Sequence, residues 1–157
     1  MTIELLMIGK TDSEEIGALI SDYSKRINRS IKFSITALPD IRNTRNMPAE
    51  QQKQAEGEML LRQFRPDDRV VLLDEHGSEM RSVEFAEFLE RQMGSGIKRL
   101  CFVIGGPYGF SKEVYARSDM KISLSRMTFS HQLVRVVFAE QLYRGLSIIN
   151  RTPYHHE

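Results

Sequence analysis

An α/β domain built on a mostly parallel sheet is predicted by three observations. Short apolar runs of strand length alternate with amphipathic stretches of helical spacing along the whole chain. The runs at Arg69–Leu73 and Leu100–Ile104 end at residues 74–77 (DEHG) and at Gly105-Gly106-Pro107-Tyr108-Gly109, where a strand would turn into a loop. The 157 residues suit one domain, 1–157, long enough to bury a core without disulfide or metal staples.

The elements follow in order. Ile3 to Ile8 reads as a buried strand ending at Gly9. Asp12 or Ser13 caps a helix on which Ile16, Leu19, Ile20, Tyr23 and Ile27 share a face. Ile31, Phe33, Ile35 and Ala37 alternate with polar residues, a half-buried strand that stops at Pro39. Residues 40–48 (DIRNTRNMP) read as a loop, and Pro48 sits in the first turn of a helix to about Phe64. Arg69 to Leu73 is a strand, and residues 74–77 leave it as a loop. Ser82 caps a helix carrying Val83, Phe85, Ala86, Phe88 and Leu89, closed by residues 94–96 (GSG). Leu100 to Ile104 is the next strand, Ser111 caps a short helix to about Arg117, and residues 120–124 form a last strand. A long helix runs from Ser130 to about Ile149 and leaves the tail 150–157.

Composition excludes several classes. One cysteine, Cys101, allows neither an internal disulfide nor a cysteine-rich zinc site, although His and Asp/Glu could still bind a metal; a reducing compartment and no metal are expected. No apolar run reaches transmembrane length, and the N-terminus lacks a signal-peptide pattern, so no membrane and a cytoplasmic location are expected. Lys+Arg number 22 against 21 Asp+Glu, which gives no support to polyanion binding by the whole surface. Charge is unevenly spread, however. From residue 121 onward lie Lys121, Arg126, Arg135, Arg144 and Arg151 but only Glu140 and Glu157, together with His131, His155 and His156. A local basic site near the C-terminus follows, or a solvated face that happens to be basic.

Ligands of open parallel sheets bind outside the carboxyl ends of the strands, which nominates the loops after Leu73, Ile104 and Leu124. Residues 105–109 (GGPYG) lack the spacing of a dinucleotide fingerprint, and Pro107 removes an N–H that a phosphate cradle would use. A tight strand-to-helix turn accounts for them equally well. Leu124, Ser125, Arg126, Met127, Thr128 and Phe129 mix hydroxyls with apolar groups, as a loop enclosing a small amphipathic cofactor would, or as an ordinary connection does. His131 with Arg135 and Glu140 with Arg144 lie one helical turn apart and pair along the long helix. Tyr154-His155-His156 is an aromatic and imidazole tail able to stack on a base or move a proton.

The ordered set Ile8-Gly9, Leu73-Asp74, residues 103–109 (VIGGPYG), residues 124–129 (LSRMTF), residues 131–135 (HQLVR), residues 140–144 (EQLYR) and Pro153-Tyr154-His155 resembles the RlmH family. These are the ribosomal RNA large-subunit methyltransferases H of the SPOUT superfamily, and the resemblance covers essentially the full chain. It implies a SPOUT-type α/β fold with a C-terminal trefoil knot and an obligate homodimer. It implies methylation at N3 of a pseudouridine in large-subunit (23S) ribosomal RNA, on assembled ribosomes, with S-adenosyl-L-methionine as cofactor. By position, Leu73, Gly105 and Leu124 to Phe129 are implied to bind the cofactor, and His131, Arg135, Arg144, Tyr154 and His155 to face the target. His155 ranks ahead of His131 as the proton acceptor. Two other classes compete: a nicotinamide- or nucleotide-binding oxidoreductase, for which Asp74 stands on the wrong side of the glycine loop, and a non-enzymatic ribosome-binding module using the basic C-terminus.

Overall fold

A computed structural model describes residues 1–157. Ten elements run β1 (Thr2–Ile8), α1 (Glu14–Ile27), β2 (Phe33–Leu38), α2 (Ala49–Gln63), β3 (Arg69–Glu79), α3 (Ser82–Gly94), β4 (Arg99–Ile104), α4 (Lys112–Arg117), β5 (Met120–Ser123) and α5 (Leu133–Ile149). The strands form one five-stranded sheet in the order β2-β1-β4-β3-β5, with every pair parallel. The alternation of strand and helix therefore builds the predicted parallel α/β sheet.

Side-chain alternation divides the core into two layers. Ile3, Leu5, Met7, Leu100, Phe102, Ile104 and Val71 point to one face, where they meet Ile27 of α1, Phe85, Phe88 and Leu89 of α3, and Phe138, Leu142 and Leu146 of α5. Leu6, Ile8, Cys101, Val103, Val70 and Leu72 point to the other face, against Leu60 of α2 and Val114 of α4. Both faces of β4 are thus covered, which is why all its residues are buried. Burial pushes the Cys101 thiol up to about 12, so it packs as a small apolar group.

At the amino ends of the strands, Arg99 ties the sheet to its flanks. Its Nε and Nη2 donate to the two oxygens of Asp68 at 3.0 and 2.7 Å, Nη1 donates to Glu4 Oε2, and Nη2 also reaches the Gln63 carbonyl. This end is closed by buried ion pairs, leaving the carboxyl end free for loops.

Several boundaries depart from the sequence expectation. Ser13 caps α1, accepting from Ile16 N at 3.2 Å, and Ser111 caps α4. Ser82 does not cap α3; it is the first helical residue, and the Glu84 side chain instead accepts from Arg81 N at 2.7 Å. Pro48 is the N-cap of α2 rather than a residue of its first turn, and Thr44–Asn46 forms a single 3₁₀ turn in the 40–48 loop. Ile31 lies outside β2, and α5 starts at Leu133, whose N donates to Ser130 Oγ at 3.1 Å.

The largest difference lies in β3. It does not end at Leu73: residues 74–77 bulge out and Ser78–Glu79 resume pairing with β5, so that both Leu73 and Ser78 face Ile122. Turn-forming residues mark the bulge as well as they would mark a loop. Gly77 permits it, since a Cβ there would stand 2.6 Å from Ile122 N and 2.7 Å from the backbone carbons of Lys121 and Ile122.

Beneath the loop after β4, Glu56 of α2 is almost fully buried and neither carboxyl oxygen has a hydrogen-bond partner. A Cβ on Gly106 would overlap this carboxyl. Burial raises the Glu56 pKa, with Asp40 acting in the same direction.

Two stability predictions follow. Gly77→Ala should lower unfolding stability by about 1–3 kcal/mol in urea titrations, because the β5 backbone has to give way; a change under about 0.5 kcal/mol would show the bulge adapts freely. Glu56 has a folded pKa above its unfolded one, so its contribution is full below the ordinary carboxylate range and is lost as pH rises through the raised value. Glu56→Gln is neutral throughout. Its stability relative to the parent chain should rise from pH 4 to pH 8, by about 1 kcal/mol, and a constant difference across that range would contradict the buried-carboxyl account.

Candidate active site

At the β3 bulge and the carboxyl ends of β4 and β5 lies a cavity of about 570 Å³. That is within the range of about 300–1,000 Å³ usual for small-molecule and cofactor sites. Three segments wall it: Leu73 to His76 from the β3 bulge, Ile104 to Phe110 after β4, and Ser123 to Phe129 after β5. His131 and Val134 close one side and Tyr115 of α4 another.

Of the eight residues expected at a cofactor site, seven line this cavity: Leu73, Gly105, Leu124, Ser125, Met127, Thr128 and Phe129. Arg126 does not. It is exposed and its Nε lies 3.3 Å from Glu79 Oε1, outside the cavity lining. The loop braces itself, with Ser123 Oγ donating to the Ser125 carbonyl at 3.0 Å and Ser125 Oγ accepting from Met127 N at 2.9 Å. Met127 is 80% exposed, an apolar side chain with nothing over it.

From β5 the chain crosses the carboxyl ends of β3 and β4 to reach β1, three strand spacings or about 14 Å away. It is fastened there. Arg135, 0% exposed, donates from Nη2 to the Ile8 carbonyl at 2.8 Å and from Nη1 to Thr11 Oγ1 at 2.9 Å. Gln132 accepts from Asp12 N and donates to the Lys10 carbonyl. His131 Nε2 lies 2.9 Å from the Ile8 carbonyl and 3.1 Å from Arg135 Nη2, donating to the first in one tautomer and accepting from the second in the other. The His131/Arg135 spacing does bring the two together, but Arg135 turns inward and presents nothing to the surface. Burial pulls its pKa down, while Asp12 and Asp40 oppose that.

The tail forms a second centre. Thr152 N donates to the Ser147 carbonyl, turning the chain back along α5. Tyr154 packs edge-on against Tyr143, its ring centroid 4.7 Å away, and its hydroxyl donates to Glu140 Oε1 at 3.1 Å and lies 3.2 Å from the Tyr23 hydroxyl. Burial, then the Tyr23 contact, push the Tyr154 phenol well above its ordinary range. Arg144 stacks over the Tyr154 ring at 4.9 Å, donates twice to Glu140 Oε1, and approaches His155 Nδ1 at 3.3 Å. Donation from the guanidinium makes Nδ1 the acceptor and leaves the ring proton on Nε2. The Glu140 contact raises the Arg144 pKa further, so this cation is permanent. Glu140, expected only as an i,i+4 partner, is the hub of this cluster.

The structure thus gathers His131 with the cavity, and Arg144, Tyr154 and His155 with each other. It does not bring the two groups together within one chain: Arg135 and Arg144 are nine residues apart on α5, about 14 Å along its axis. Tyr115 and Phe110 line the cavity unannounced by any motif, and Asp74, which the family resemblance includes beside Leu73 without a role, lines it as well. Strand-end position was the signal for Asp74; Tyr115 is contributed by packing of α4, which no local pattern reveals.

No helix is long and apolar enough to cross a membrane, and no three His, Cys, Asp or Glu side chains group as metal ligands would.

Residues 1–155 match the family described as "Predicted SPOUT methyltransferase". The chain is 54% identical over 156 residues to "Ribosomal RNA large subunit methyltransferase H" of Christiangramia forsetii, covering 99% of each chain. It is 52% identical to the protein of the same name from Flavobacterium psychrophilum, over 100% of both. Among solved structures it superposes on the SpoU methyltransferase AviRb from Streptomyces viridochromogenes with a TM-score of 0.48 and 13% identity, covering 97% of this chain and 59% of that one. By the full-length relatives and the family match, the chain belongs to the SPOUT methyltransferases, within the ribosomal RNA large subunit methyltransferase H family.

Proposed function

We propose that this protein transfers a methyl group from S-adenosyl-L-methionine to large-subunit ribosomal RNA, at N3 of a pseudouridine, as a homodimer acting on the assembled ribosome in the cytoplasm. One observation carries the reading most: in a chain about half identical, end to end, to proteins named as ribosomal RNA methyltransferases, the expected cofactor residues converge on one cavity.

The cavity suits the cofactor. Leu73, Leu124, Met127 and Phe129 supply apolar surface for an adenine ring, and the backbone of the 124–129 loop supplies donors and acceptors for its edge. Gly105 lets the wall stand close to a ligand. When bound, S-adenosyl-L-methionine supplies an electrophilic methyl group on a positively charged sulfur. Residues of this chain then have two tasks. The cavity fixes the direction of the methyl, and positioning of this kind is worth up to about 7–11 kcal/mol. The N3 imino proton of the target must also leave, and a positioned imidazole taking it is worth about 10²–10⁴-fold.

His155 is our candidate proton acceptor: Glu140 holds the tail through Tyr154, and His155 Nδ1 takes the proton once Arg144 has turned from it to the target. Arg144 is the candidate cation for the oxygen or phosphate of the target. Arg135, being buried, serves instead by fixing His131 and the start of α5. Since cavity and tail lie apart in one chain, a two-fold pairing that crosses the α5 helices would place one copy's tail at the other's cavity. Leu133 (46% exposed) and Leu19 (47% exposed), with half-exposed Val137 one turn beyond Leu133, support such a seam. The C-terminal trefoil knot belongs with this reading, since residues 124–132 cross the ends of β3 and β4 before α5 packs on α1 and α3.

His155→Ala should lower the single-turnover methylation rate by about 10²–10⁴-fold with cofactor affinity unchanged; a loss under tenfold would remove His155 from the role. For the composite site, a Gly105→Val chain, blocked at the cavity, is mixed and refolded with a chain ending at Thr152. Half of the dimers should then carry one intact site of two, giving roughly a quarter of the parent activity. No activity after verified mixing would place cavity and tail in the same subunit.

A further inference from the structure

The cavity described above carries two carboxylates, Asp74 and Glu75, and neither lysine nor arginine among its lining side chains. Asp74 is the more constrained of the two. It stands directly after Leu73, where β3 leaves its pairing with β5, and is half-buried while Glu75 is exposed. Its Oδ1 accepts from His76 N at 2.8 Å across the bulge, and its Oδ2 accepts from the Tyr115 hydroxyl. Tyr115 is itself held, edge-on to Phe110 at 5.8 Å, with the Lys121 ammonium 5.4 Å from its ring centroid. Burial and the Asp74 contact push the Tyr115 phenol above its ordinary range, so it stays a proton donor through neutral pH. Two donors therefore fix the carboxylate, while each oxygen keeps lone pairs for a further partner.

A fixed negative charge on the wall of a concave site acts on the charge of whatever enters. On the methyl-transfer reading, on which this inference rests, the molecule that enters carries a positive sulfur and the one that leaves carries a neutral thioether. The rest of the two molecules, amino acid and nucleoside, is the same. We propose that Asp74, oriented by Tyr115 and His76 N, is a specificity-determining residue that favours the positively charged sulfonium cofactor over the neutral thioether product and so limits product inhibition. Tyr115 is a positioning residue for that charge.

Isothermal titration of the full-length protein tests this without any turnover. Three probes are used: S-adenosyl-L-methionine, S-adenosyl-L-homocysteine, and sinefungin, which carries an ammonium where the sulfonium stands. Asp74→Asn should weaken the two cationic probes about tenfold and S-adenosyl-L-homocysteine less than threefold. Tyr115→Phe keeps the charge but removes one of its two orienting donors, and should shift the ratio of affinities in the same direction by only about twofold. Equal weakening of all three probes by Asp74→Asn would overturn the proposal, placing Asp74 against the part they share. No change would overturn it too, as would a Tyr115→Phe protein that loses the ratio as fully as Asp74→Asn does. A parent protein that binds none of the probes would instead refute the methyl-transfer reading itself.

Discussion

The fastening of α5 to the end of β1 by buried Arg135 is the contact on which the rest of the site depends. A guanidinium with no solvent exposure is costly to bury unless its donors are met. Here Nη1 and Nη2 make three contacts, to the Ile8 carbonyl, Thr11 and His131, while Nε stays unpartnered. The carboxylates of Asp12 and Asp40 favour its charge from a distance. Because Ile8 is the last residue of a central strand, this contact fixes where the crossing segment 124–132 must end. Both ends of that segment are then set, one by β5 and the other by Arg135, and its middle becomes a wall of the cavity.

From the same anchor α5 runs back along the sheet, and its buried face, Phe138, Leu142 and Leu146, is covered by the core. Its other residues carry the Glu140, Arg144 and Tyr154 cluster. One helix thus joins two centres of different character. The cavity wall carries Asp74 and Glu75 with no Lys or Arg, whereas the tail centre holds Arg144 and His155 around Glu140 beside an exposed tail. That division suits a cationic cofactor on one side and a polyanionic substrate on the other.

Much of this was legible in the sequence because the governing signals are local. The near-continuous apolar runs Ile3–Ile8 and Leu100–Ile104 report strands covered on both faces, and the strand-end rule locates the cavity before any coordinate is known. The Ser111 cap reads correctly and the cap of α1 narrows to Asp12 or Ser13, because a cap is a contact between residues three apart. What escaped is non-local. Residues 74–77 read as a loop, since nothing nearby shows that β5 returns to pair with Ser78 and Glu79. Arg135 sits in a basic C-terminal quarter and reads as surface charge, yet its partners lie more than a hundred residues away. Arg126 shares a loop with cavity residues, but its side chain turns out to Glu79. The separation of tail from cavity follows only from the length and direction of α5.

The most direct test of the central claim is transfer of labelled methyl from S-adenosyl-L-methionine to ribosomes from cells lacking this protein, compared with free ribosomal RNA. Label in a pseudouridine of the large-subunit RNA, on assembled ribosomes and not on free RNA, is the predicted result. Cofactor binding without label on either substrate would contradict the assigned target, and label on free RNA alone would contradict recognition of the assembled particle.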